Sequence, residues 1–128
     1  MRTFERLPEE TEAVASKILD GAFKVHRNMG PGLLESVYHV CLRHELEKMG
    51  VPFKYEHILP VVYDGITLEA GLRLDLWVAG CVIAELKAVE KMHPVFEAQI
   101  LTYLKLTKTR LGLLINFNVP MLKDGIKR

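Results

Sequence analysis

Three residues of the segment RLDLWVAGCVIAELKAVE, residues 73–90, have types and spacing that could do chemistry: Asp75, Glu85 and Lys87. The rest of the segment is mostly apolar and reads as buried strand. An ionised group buried there without a partner costs on the order of several kcal/mol. Side chains alternate across a strand. Leu72, Leu74, Leu76 and Val78 therefore share one face, and Arg73, Asp75 and Trp77 the other. On the next strand Val82, Ala84, Leu86 and Ala88 share a face, opposite Cys81, Ile83, Glu85 and Lys87. A sheet buries one face consistently, so the apolar faces must coincide. In an antiparallel pair that requires opposed residue numbers with an even sum. A sum of 160 sets Asp75 against Glu85 and Arg73 against Lys87, and centres the turn on Gly80. The expected turn is odd in length, with Gly80 left-handed. A two-residue turn at Ala79-Gly80 would put the two acids on opposite faces.

In the odd-length register the two carboxylates lie within about 5 Å at the Cβ level. Like charges that close do not both stay ionised cheaply, and a divalent cation removes the conflict. Mg²⁺ (or Mn²⁺) takes oxygen ligands, and Mg²⁺ is typically held by one or two carboxylates, water and phosphate. Lys87 lies on the same face as Glu85 and reaches the same space.

Other elements must bring further groups to that face. A first helix is expected from about Pro8 to Asn28, with acids in its opening turn and an apolar stripe through Ala15, Ile18, Leu19, Ala22 and Phe23. Gly30-Pro31-Gly32 ends it. A second helix follows from about Leu33 to Met49; its first half is apolar nearly all round, which implies packing on several sides. Glu35 sits in its first turn. Strands are expected at 53–63, where Pro60 marks an edge or bulge, at 66–78 after an Asp64-Gly65 turn, and at 81–88. A third helix begins near Pro94 behind His93 and ends near Thr107, and LGLLINF at 111–117 reads as a buried last strand. On that helix Gln99 and Tyr103 are four apart, hence on one face, among the apolar Phe96, Ile100 and Leu104. The order ααβββαβ describes an α/β layer fold around a mixed sheet.

The bulk properties bound the function classes. The chain has 128 residues, suiting one domain over residues 1–128, and is 49% hydrophobic and 26% charged, which excludes a disordered chain. No apolar run reaches the roughly 18 residues of a membrane helix, and the charged start MRTFERLPEE lacks a signal-peptide core. Cys41 and Cys81 form no C-x-x-C and read as reduced core residues of a cytoplasmic protein. Residues 1–86 carry nine Lys+Arg against thirteen Asp+Glu, while residues 87–128 carry eight against three. The basic C-terminal third suits a polyanion but equally a solvated surface. There is no P-loop and no G-x-S-x-G elbow.

Each candidate has a plainer alternative. Chance alone gives about two acid-x-basic triplets in such a composition, yet Glu85 is the only acid here followed at +2 by Lys or Arg. Asp75, Glu85 and Lys87 could be a structural ion cluster. Glu35 could serve the helix dipole, and Gln99 and Tyr103 could be polar residues at a core edge. His26 reads as a hydrogen-bonded helix histidine, and His44, His57 and His93 form no metal spacing. Trp77 is better read as packing than as a base-stacking platform.

GPGLLESVY, with Gly32-x-x-Glu35-x-x-Tyr38, together with the segment at 73–90, EAQILTYLKLT and LGLLINFNV, closely resembles the GxxExxY protein family, placed in the PD-(D/E)XK nuclease superfamily. The four motifs occur in order over roughly residues 11–128. The resemblance implies the restriction-endonuclease-like αβββαβ core plus an extra N-terminal helix. It implies that Asp75 and Glu85 are metal ligands, joined by the Leu86 carbonyl and Glu35. It implies that Lys87 is the lysine of the (D/E)XK pair. Gln99 and Tyr103 match the Q-x-x-x-Y helix motif of RecB-like and lambda-exonuclease-like relatives, where it positions the lysine and the nucleic acid. Leu74, not Pro, precedes Asp75. The activity implied is Mg²⁺-dependent hydrolysis of nucleic acid, DNA before RNA; the small size of the chain suits a homodimer, whose second subunit helps to embrace a duplex. The alternative is a catalytically silent nuclease-fold module that binds nucleic acid or acts as a scaffold.

Overall fold

The computed structural model describes residues 7–128. Part of the charged N-terminal stretch read for a signal peptide, residues 1–6, lies outside the described residues. Helix α1 (Glu9–Met29) carries Glu9, Glu10 and Glu12 in its first turn and His26 and Arg27 in its last, matching the helix dipole. It buries Val14, Ala15, Ile18, Ala22 and Val25. Helix α2 (Glu35–Lys48) packs against it, most closely at Gly21, where an added Cβ would sit 3.1 Å from the Leu42 side chain. The half-buried face of α2 is narrower than its composition implies. Tyr38, Leu42, Glu45 and Leu46 are buried, whereas Leu34 is 75% exposed and Val40 58%. The expected packing on several sides is therefore corrected: α2 lies on the surface, with one face inward.

Strands β1 (Phe53–Tyr63), β2 (Ile66–Val78) and β3 (Val82–Lys87) form an antiparallel meander. Asp64 and Gly65, both left-handed, make the first turn, and the register slips between Leu59 and Val61, around Pro60. Helix α3 (Pro94–Thr107) is capped by His93, whose ring accepts from the Val95 N–H at 3.0 Å. It crosses over to β4 (Leu111–Asn116), which runs parallel to β3 and is wholly buried. A 3₁₀ turn at Leu122–Gly125 leads into β5 (Ile126–Lys127), antiparallel to β4. The tail thus adds an edge strand that the sequence pattern left open. The sheet order is β1-β2-β3-β4-β5. Helices α1 and α2 cover one face over the main core, and α3 covers the other over a smaller cluster of Leu74, Ile83 and Ile100.

Candidate functional site

The β2–β3 turn has the expected parity. Val78 pairs with Val82, Trp77 with Ile83 and Leu76 with Ala84. Ala79 and Gly80 are left-handed, and the Cys81 N–H donates to the Val78 carbonyl, leaving Cys81 as the extra residue. The ladder stops at Leu76, and at the next level two carboxylates take over its hydrogen bonds. The Asp75 N–H donates to Glu85 Oε1 at 3.2 Å, and the Leu86 N–H donates to Asp75 Oδ2 at 2.9 Å. Strand β1 is irregular at the same level: Glu56, between the pairs Tyr55–Leu76 and His57–Leu74, has a left-handed φ of 46°.

The backbone consequently turns here. Leu76 and Val78 enter the α1–α2 core, while Leu74 packs beneath α3 with Ile83 and Ile100. The expectation that Leu72, Leu74, Leu76 and Val78 share one face fails at Leu74. Strict alternation needs an unbroken ladder, and here side-chain oxygens replace backbone carbonyls. Trp77 packs on the same α3-side cluster, as its packing alternative requires.

Glu85 is only 4% exposed. Burial, then the charge of Asp75, pushes its carboxyl up to about 9, and Lys87 pulls weakly the other way. The pair thus holds a proton at neutral pH where a cation would let both carboxylates ionise. The Leu86 N–H is turned toward the gap between β2 and β3. Its carbonyl points the same way, because a strand residue presents both groups to one neighbour. The next carbonyl, of Lys87, accepts from Phe117 on the other side at 2.9 Å.

Lys87 does not touch the acids. Its ammonium rests 4.4 Å above the Phe96 ring of α3. One turn on, the exposed Gln99 hydrogen-bonds to Tyr103, whose hydroxyl is raised by burial and then by the charges of Glu85 and Asp75. Tyr103 therefore lies within electrostatic reach of the acid pair from the α3 side, with Gln99 beside it.

Glu35 approaches from the other face but stops behind His39. The His39 Nε2 lies 3.6 Å from Glu35 Oε2 and 3.8 Å from Asp75 Oδ2. The signal for His39 is its spacing, since Glu35, His39 and Arg43 recur every four residues along one face of α2. His26 is hydrogen-bonded as expected, donating from Nε2 to the Val119 carbonyl at 2.8 Å. Tyr38 fixes the start of α2. Its hydroxyl donates to the Gly30 carbonyl at 2.6 Å and accepts from the Leu33 N–H at 3.1 Å, and its ring stacks on Phe117 at 4.6 Å.

A cleft of about 200 Å³ opens onto Asp75 between α2 and the β1–β2 strands. A larger apolar cavity of about 340 Å³, lined by Phe53, Trp77 and Ala79, lies at the turn end of the hairpin and carries no carboxylate. Among the described residues no three or more His, Cys, Asp or Glu side chains are gathered to hold an ion. The oxygen pair nevertheless fits a hard divalent cation of the Mg²⁺ kind, which needs one or two carboxylates and completes its shell with water and phosphate.

A family model of the PD-(D/E)XK nuclease superfamily matches residues 12–128. No curated protein and no solved structure matches the chain. Among the described residues no helix is long and apolar enough to cross a membrane. The matched span takes in the helix that brings Glu35, the acid pair, Lys87, and α3, in an α/β fold with the αβββαβ order. The chain belongs to the PD-(D/E)XK nuclease superfamily.

Proposed function

We propose that the chain hydrolyses phosphodiester bonds of nucleic acid, DNA before RNA, with a divalent cation held by Asp75 and Glu85. The observation that carries this reading is the acid pair in the gap between β2 and β3, in which the half-buried Asp75 meets the buried Glu85, its carboxyl pushed up to about 9. Mg²⁺ or Mn²⁺, when bound, supplies a water acidic enough to attack and offsets charge developing on the phosphate. The protein's part is to orient and neutralise. Asp75 is held in place by the Leu86 N–H, and Glu85 by the Asp75 N–H. The Leu86 carbonyl is a further oxygen ligand facing the same gap. Lys87 swings from the Phe96 ring to the phosphate, where a fixed cation stabilises the transition state. Gln99 and Tyr103 hold the strand on the α3 side, and Glu35 reaches the cation through water on the α2 side.

Titration calorimetry with Mg²⁺ and Mn²⁺ should show binding that Asp75→Ala abolishes. Metal-dependent cleavage of single- or double-stranded DNA or RNA should be lost in Lys87→Ala. No binding at millimolar metal would overturn the reading. A second reading is favoured by the position of Lys87 on Phe96 rather than on the acids: a nuclease-fold module that binds nucleic acid without turnover. Tight binding of oligonucleotides with no cleavage across those substrates and metals would support it instead.

A further inference from the structure

The cleft that opens onto Asp75 has a second set of groups. Glu35, His39 and Asp75 line it together with Arg43, Glu56 and Arg73. Arg43 lies with its guanidinium 4.1 Å above the ring of Tyr55, which is 53% exposed. Stacking of this kind fixes the guanidinium plane and leaves its N–H edge free. Among the described residues Arg43 has no acidic partner within ion-pair distance. Arg73 pairs with Glu56 at 3.4 Å, both side chains more than half exposed. Exposed pairs of that kind contribute roughly 0–1 kcal/mol, so a stronger anion displaces the carboxylate. Glu56 itself stands at φ 46°, a conformation that non-glycine residues seldom adopt and that concentrates at ligand sites.

At about 200 Å³ the cleft is smaller than the roughly 300 Å³ at which small-molecule pockets begin. It suits a segment of polymer lying across it, such as one phosphate and its sugar. We infer that Arg43 and Arg73 grip a backbone phosphate of a nucleic-acid strand, next to the one presented to Asp75 and Glu85. Arg73 exchanges Glu56 for the phosphate, while Arg43 is already held over the Tyr55 ring. Two guanidiniums on phosphate carry no base information, so this contact is indifferent to sequence. The inference rests on the nuclease reading and assigns the side from which the strand arrives: over α2 and β1, opposite α3.

The test is fluorescence anisotropy with a labelled oligothymidylate and a labelled duplex, in metal-free buffer where no cleavage occurs, across a salt series. Arg43→Ala and Arg73→Ala should each weaken binding about tenfold and lower the slope of log affinity against log salt by about one. Glu56→Gln should tighten binding several-fold by releasing Arg73, a gain that no folding defect produces. If wild type cleaves nucleic acid with metal, yet both arginine variants keep its affinity and salt slope, the cleft assignment is wrong and the nuclease reading stands. If wild type neither binds nor cleaves any of these substrates, both fall.

Discussion

At the scale of single residues, the proton on Glu85 is the feature with the clearest consequence. Its carboxyl is raised to about 9 by burial and by Asp75, so near pH 7 the metal-free site carries one proton on the pair. A cation binds the ionised form, and binding must expel that proton. Calorimetry of Mg²⁺ binding at pH 7 in two buffers of different ionisation enthalpy should therefore report close to one proton released per metal. The release should fall by half near pH 9 and disappear only well above it, where the proton has already left. Heats that do not depend on the buffer would show that Glu85 is ionised before the metal arrives. Lys87 marks what residue types alone do not reveal. Its spacing from Glu85 is plain in the sequence, but its resting place on Phe96 depends on where α3 lies.

At the scale of elements, the turn at Gly80 was legible because parity is a discrete property. Either Asp75 and Glu85 share a level or every side chain of one strand changes face. The rotation at Leu74 was not legible, since nothing in a hydrophobic pattern says that carboxylates will replace ladder carbonyls. The one-sided burial of α2 was hidden for another reason: Leu34 and Val40 look like core residues but stand exposed. His39 and Arg43 are meaningful only once α2 is placed beside Asp75. The Gly32-x-x-Glu35-x-x-Tyr38 stretch shows how an element serves the site. Tyr38 is fully buried and spends its hydroxyl on the turn before the helix, bonding Gly30 and Leu33. It thereby sets where α2 starts and so where Glu35, His39 and Arg43 stand. Tyr38→Phe keeps the stack on Phe117 but strips two backbone groups of their partner. It should cost about 1–3 kcal/mol in chemical denaturation, and should weaken metal binding less than Asp75→Ala does. A loss within experimental error would mean that the turn holds without the hydroxyl.

At the scale of the whole molecule, the same acid pair should make metal-free stability fall with pH. In the unfolded chain Glu85 titrates near the ordinary value of about 4.3, and in the folded chain near 9. Between those values the native state holds a proton that the unfolded state lacks. The contribution is therefore complete below the lower value and is lost as pH rises through the upper one. The slope is at most about 1.4 kcal/mol per pH unit for one proton. Other groups titrate over the same range, so the comparison is with Glu85→Gln, which imitates the protonated form and has nothing to lose. Melting temperatures of the metal-free proteins should diverge from pH 5 to 9, wild type falling relative to the variant. Saturating Mg²⁺ should narrow the gap by about half, because ligand at about 100 times its dissociation constant adds roughly 2.7 kcal/mol to the form that binds it, and Glu85→Gln gives up a ligand. Parallel curves with and without metal would mean that the buried carboxyl neither keeps its proton nor exchanges it for a cation. The proposed metal site would then have to be sought elsewhere than in the gap between β2 and β3.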